Sequence, residues 1–188
     1  MNRLLPIVLL AGLGCLRPSR PVVFHTLQAV ALRGAGPGPA LEIMPVRIPG
    51  ALQRPQLVTT LGPGAVGFAS GHRWGDLLEN EIQRVLVEDL ARLLATGRVV
   101  AAPYGPRVDA AYRVEVDILR CDGRPGGTLA FTATWMLTRP REDRAQALGR
   151  TTLEEPVRGE DPEALVAAHD RVLAALCGEI AAKVRSLP

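Results

Sequence analysis

The chain has 188 residues, a length that suits one domain with a leader and a short linker. Apolar residues make up 47% and aromatic residues 4%, which provides a core of Val, Leu, Ile and Ala. The net charge is +3, with 22 basic and 19 acidic residues interspersed, so there is no like-charged block of the kind that binds nucleic acid.

Residues 1–14, MNRLLPIVLLAGLG, open with one positive charge at Arg3, continue as an apolar run over 4–13 and end on a small residue. This is signal-peptide order. The run is too short to span a bilayer, which takes about 20 apolar residues. Cys15 follows Gly14 directly and resembles the cysteine of a bacterial lipobox. The predicted mature chain therefore begins at a lipidated Cys15, held on a membrane by acyl chains rather than by a helix. Leu16, not Asp, comes next, so outer-membrane sorting is the default. The competing reading of 4–13 is an uncleaved first strand of a soluble α+β domain that binds a small molecule or is an enzyme.

Residues 15–40 read as the lipidated N-terminus, a β-prone VVFHTL over 22–27 and a Gly/Pro linker over 33–40 with no regular structure. Residues 41–188 read as a single domain. Strands are predicted over 41–49, with Met44, Val46 and Ile48 on one face, and over 56–61 and 65–70 on either side of a Gly62-Pro63-Gly64 turn. A helix is predicted over 76–95. Leu78, Ile82, Val85, Leu86, Leu90, Leu93 and Leu94 form its apolar face, with Glu79, Glu81, Gln83, Arg84, Glu88 and Arg92 opposite. Asp76 and Glu79 have the spacing of a capping box, and Gly97 lies just past the helix end. Further strands follow over 98–103, 110–121, 128–138 and 146–153. Tyr112, Val114, Val116 and Ile118 point inward from the second, and Leu129, Phe131, Ala133, Trp135 and Leu137 from the third. A last helix starts at Asp161-Pro162 and turns Leu165, Val172, Leu173, Leu176, Ile180 and Val184 inward. The sum is an α+β fold in two layers, a mostly antiparallel sheet against two amphipathic helices.

No catalytic set emerges. His25, His72 and His169 have no metal-ligand spacing, so neither metal nor cofactor is expected. Gly62 to Gly67 lacks the Lys-Ser/Thr of a phosphate loop, and Glu154 and Glu155 face opposite sides of a strand. Cys121 and Cys177 either pair, if the compartment is oxidising and the distance allows, or stay as buried free thiols.

Residues 43–94 resemble the PqiC/YmbA-like auxiliary lipoproteins of ABC-type transport systems. The resemblance rests on a strand followed by Pro49-Gly50, Leu52, Arg54, Pro55 and Gln56, on Arg73-Trp74 before the long helix, and on Arg120 with Asp122-Gly123 before a hairpin strand. It implies a non-enzymatic periplasmic lipoprotein on the outer membrane. Such a protein would work with an Mce-domain protein and membrane components of an intermembrane lipid transport system, as a homo-oligomer. Leu52, Arg54, Gln56, Arg73 and Trp74 become the candidate surface for a partner or a lipid headgroup. Trp74 would be an aromatic anchor or, alternatively, a contact onto the helix.

Overall fold

The computed structural model describes residues 21–62, 64–142 and 144–187; the expected leader and Cys15 lie outside that range. In chain order the elements are β1 Val23–His25, β2 Leu41–Ile43, β3 Gln56–Gly62, β4 Ala65–Trp74 and α1 Leu78–Leu93. Then come β5 Val99–Ala101, β6 Tyr112–Gly123, β7 Thr128–Arg139, β8 Arg144–Pro156 and α2 Pro162–Ser186. The α+β class holds, but the strands form two mixed sheets rather than one: β1-β4-β3 and β5-β2-β6-β7-β8. The helices pack on each other, α1 also on β2 and β5, and α2 on β7 and β8.

Period-two alternation sets the larger sheet. All five apolar residues expected inward from β7 are buried, as are Tyr112, Val114, Val116 and Ile118 of β6. Asp161 caps α2 as expected, its carboxylate accepting from the Ala164 N–H at 2.7 Å. The strand expected over 41–49 stops at Ile43 instead. Leu41 and Ile43 are buried, Met44 is only half-buried, and the inward face resumes at Val46 and Ile48. Pro45, with no N–H to give, sits where the phase slips. The segment still follows β6, with Met44 N–H on Val114 O at 2.9 Å and Arg47 N–H on Val116 O at 3.2 Å.

The expected capping box on α1 does not form. Leu77 is the cap residue and has no side-chain bond to give, while Asp76 takes the Leu77 N–H and the Asn80 amide. Asp76 is one position too early to reach the first turn. At the other end, Thr96 N–H bonds Ala91 O and Ala95 N–H bonds Arg92 O, the paired bonds of a Schellman motif. Its left-handed residue is Ala95, at φ 48°, and not Gly97. A Cβ there costs about 1–2 kcal/mol. Ala95→Gly is therefore expected to stabilise the fold by about 0.5–1 kcal/mol after the entropy of a freer unfolded chain is subtracted. A thermal or urea melt checks this.

Residues 22–40 lie against the rest of the fold. β1 runs parallel to β4, and Leu27 is completely buried. The backbone that follows lies across both helices and is bonded by their side chains. Leu27 N–H donates to Glu81 at 3.0 Å, Gln28 N–H to Asp170 at 2.8 Å and Ala31 N–H to Asp89 at 2.9 Å. Arg84 and Arg92 of α1 donate to the carbonyls of Leu27 and Ala29, and Arg185 of α2 donates to Ala35 O at 2.7 Å. Glu81, expected on the solvent face of α1, is therefore buried. Half-buried Gln83 spans from α1 to the Ile43 and Ala102 carbonyls at 2.9 and 2.8 Å.

Burial pushes the Asp170 carboxyl up to about 6, although the Gln28 N–H pulls the other way. Its folded value lies above its unfolded one, so its stabilising contribution is full below about pH 4 and lost as pH rises through about 6. Relative to Asp170→Asn, whose amide oxygen still accepts from Gln28, the parent protein is expected to gain on the order of 2 kcal/mol between pH 7 and pH 4. Parallel urea titrations at the two pH values read that difference directly.

Cys121 and Cys177 are buried free thiols. Burial raises the Cys121 thiol to about 12, so it stays protonated and unreactive.

Candidate functional site

The five residues singled out in the sequence separate into two environments. Leu52 and Trp74 are 6% and 3% exposed and belong to the core. Trp74 is thus not an exposed anchor. β4 continues past Ser70, where the expected strand ended, and its last residue turns inward. The indole meets His169 of α2 edge-on, ring centroids 5.5 Å apart at 76°. Gly71 permits the continuation by taking φ +81°, which few side chains tolerate. His169 donates from Nδ1 to Leu165 O at 2.8 Å, and burial lowers its pKa, so it stays neutral beneath the indole.

Arg73 faces solvent, and Gln56 is half-buried. Strand register places them side by side, Gln56 of β3 opposite Arg73 of β4, with Phe24 of β1 opposite Arg73 on the other flank. Phe24 is 64% exposed. This gives a row of one aromatic, one cation and one amide across the outer face of the small sheet. Arg54 comes up beside it from the 49–55 loop, its guanidinium carbon 5.3 Å from the centroid of Phe68. Its Nε is buried and has no partner among the described residues.

Next to this row is a groove of about 760 Å³ between the β3–β4 hairpin and β6. Leu52, Val58, Val66 and Leu119 give it apolar walls, and Arg120 and Asp122 stand at its polar side. Arg120 Nε donates to Asp122 at 2.7 Å, and Thr60 Oγ1 donates to the same carboxylate at 3.2 Å. Alternation turns Leu119 outward after Ile118, and a bulge in β6 between Ile118 and Arg120 keeps Arg120 outward as well and returns Cys121 to the core. The hairpin above the groove carries Leu61, Val66 and Phe68 at 69%, 50% and 49% exposure. Sequence reasoning missed this wall. The signal available was the spacing of Ile118 and Cys121, two inward residues three apart on one strand.

Among the described residues no helix is long and apolar enough to cross a membrane. A solved structure of an uncharacterised protein, 17% identical, matches 84% of this chain and 99% of its own length with a TM-score of 0.67. A Xanthomonas campestris protein of the DUF330 family, 16% identical, matches 84% of this chain and 92% of its own, also with a TM-score of 0.67. These likenesses establish the fold. No curated protein matches. The family described as ABC-type transport auxiliary lipoprotein component matches residues 25–181, which include the Pro49–Gln56 and Arg73-Trp74 motifs. The chain belongs to that family of ABC-type transport auxiliary lipoproteins.

Proposed function

We propose that this protein is a non-enzymatic periplasmic component of an Mce/ABC-type intermembrane lipid transport system, tethered to the outer membrane through a lipidated Cys15. It binds its membrane or Mce-domain partner through the outer face of the small sheet, as a homo-oligomer. The observation that carries this reading is the exposed apolar and cationic surface of Phe24, Phe68, Arg73 and Arg54 beside an apolar groove. Exposed aromatics next to arginines are what a protein interface uses as anchors, and guanidinium groups suit carboxylates or phosphates. Sorting the original five residues by burial leaves Arg73, Arg54 and Gln56 in the binding role. Leu52 and Trp74 support them from beneath.

Intact mass of the protein from its native membrane fraction tests the tether. A chain beginning at Cys15 with diacylglyceryl and acyl mass is expected, and one beginning at Met1 without lipid sinks the proposal. Affinity purification with the partner tests the surface. Arg73→Glu combined with Phe68→Ser is expected to reduce partner recovery at least tenfold while lowering the melting temperature only slightly, because Arg73 faces solvent and Phe68 is already 49% exposed. Undiminished recovery would place the interface elsewhere.

A further inference from the structure

His25 and His72 are 47 residues apart in the chain and meet at the edge of the small sheet. His25 ends β1, His72 lies near the end of β4, and Val23 opposite His72 puts the two histidines on the same face. His25 Nε2 and His72 Nδ1 are 2.8 Å apart. The ring centroids are 5.1 Å apart with planes 13° from parallel, so the rings lie end to end in nearly one plane and aim those two nitrogens at each other. Glu163, in the first turn of α2, brings Oε1 to 3.9 Å from His72 Nδ1. All three potential ligand atoms lie within 4.8 Å of one another.

We propose that His25, His72 and Glu163 form a binding site for a divalent transition metal of the zinc class. Tetrahedral zinc holds N and O donors at about 2.0–2.2 Å, which spaces the donors by about 3.3 Å. The contacts at 2.8 and 3.9 Å bracket that spacing, but the two ring nitrogens point at each other, so His72 must swing until both lone pairs meet off the line between them, and Glu163 must close in. Glu163 is free to move, because its side chain is 56% exposed. His25 is buried, His72 half-buried and Glu163 exposed, so a fourth ligand would reach the ion as water from the Glu163 side. Two imidazoles and one carboxylate favour zinc-class ions over calcium or magnesium, which take oxygen ligands. The bound ion fastens β1 to both β4 and the start of α2. Sequence spacing gave no sign of the site because three separate elements contribute to it.

The test uses the full chain carrying Cys15→Ser, so that no terminal thiol competes, stripped with a chelator and titrated with Zn²⁺ by calorimetry. One Zn²⁺ per chain at micromolar affinity or tighter is expected, with no heat from Ca²⁺ or Mg²⁺. His72→Ala is expected to abolish binding and Glu163→Gln to weaken it at least tenfold. The melting temperature should rise with Zn²⁺ in the parent and much less in Glu163→Gln. Imidazole ¹⁵N shifts of His25 and His72 in the unmutated pair are expected to move on adding Zn²⁺, which keeps the test valid if His72→Ala fails to fold. Absence of stoichiometric binding, binding indifferent to Glu163→Gln, or unmoved imidazole shifts would each overturn the site.

Discussion

A chain that starts at residue 41 is expected not to fold cooperatively, whereas one that starts at residue 21 should melt in a single transition. The sequence alone starts the domain at 41, whereas the backbone of residues 27–31 is bonded to side chains of both helices. Deleting residues 21–40 removes Leu27, a fully buried leucine, and leucine-to-alanine changes at such sites cost about 3–5 kcal/mol. It also removes the N–H groups bonded to Glu81, Asp170 and Asp89. Hydrogen bonds to charged groups are worth about 1.5–3 kcal/mol each. These losses approach the whole stability of an ordinary domain, about 5–15 kcal/mol. Far-UV circular dichroism melts and amide NMR dispersion distinguish the two starts. A sharp melt from the chain starting at 41 would show that residues 22–40 merely decorate the fold.

Gly149→Val is expected to destabilise the protein by about 3 kcal/mol. Gly149 lies opposite Trp135 in the β7–β8 register, and a Cβ there would fall 2.1 Å from Trp135 Cζ2. The indole rests on bare backbone. It cannot tilt away without breaking its Nε1 bond to Thr151 Oγ1 at 3.2 Å, and Thr151 in turn donates to Glu179 of α2. Adding bulk at position 149 therefore strains the sheet and its link to α2 together. In a double-mutant cycle, Trp135→Leu should recover at least about 1 kcal/mol of the Gly149→Val loss, since it vacates the space the valine needs. Urea melts that show the two effects simply adding would remove the indole as the cause.

The elements that alternate cleanly were legible. β6, β7 and α2 are long enough for pattern and period to fix which residues turn inward, and the fold class follows from them. Three features were not legible, each for a stated reason. The course of residues 26–40 is set by carboxylates and guanidinium groups from α1 and α2, far away in sequence, and not by any pattern of its own. The membership of β1 in the small sheet depends on its pairing with β4, and three residues of VVFHTL carry no register signal. Trp74 reads from sequence either as a surface anchor or as a contact onto the helix; β4 runs past Ser70 with Gly71 bending it onward, so position 74 faces the core. The proposed binding surface was half legible for the same reason. Gln56 and Arg73 sit on neighbouring strands, but their neighbour Phe24 and the outward pair Leu119 and Arg120 come from pairing and a bulge that residue spacing only hints at.

The segment laid across the helices also decides where mechanical load goes. Under the proposed tether through Cys15, the protein would be pulled from that end whenever its partner moves. Tension entering ahead of Val23 meets β1 and then the fastenings at Leu27, Gln28, Ala29, Ala31 and Ala35, which spread it over α1 and α2. Only after these have given way does the backbone pull directly on β2. The segment thus works as a cable clamp, taking up the pull before it reaches β2 along the chain.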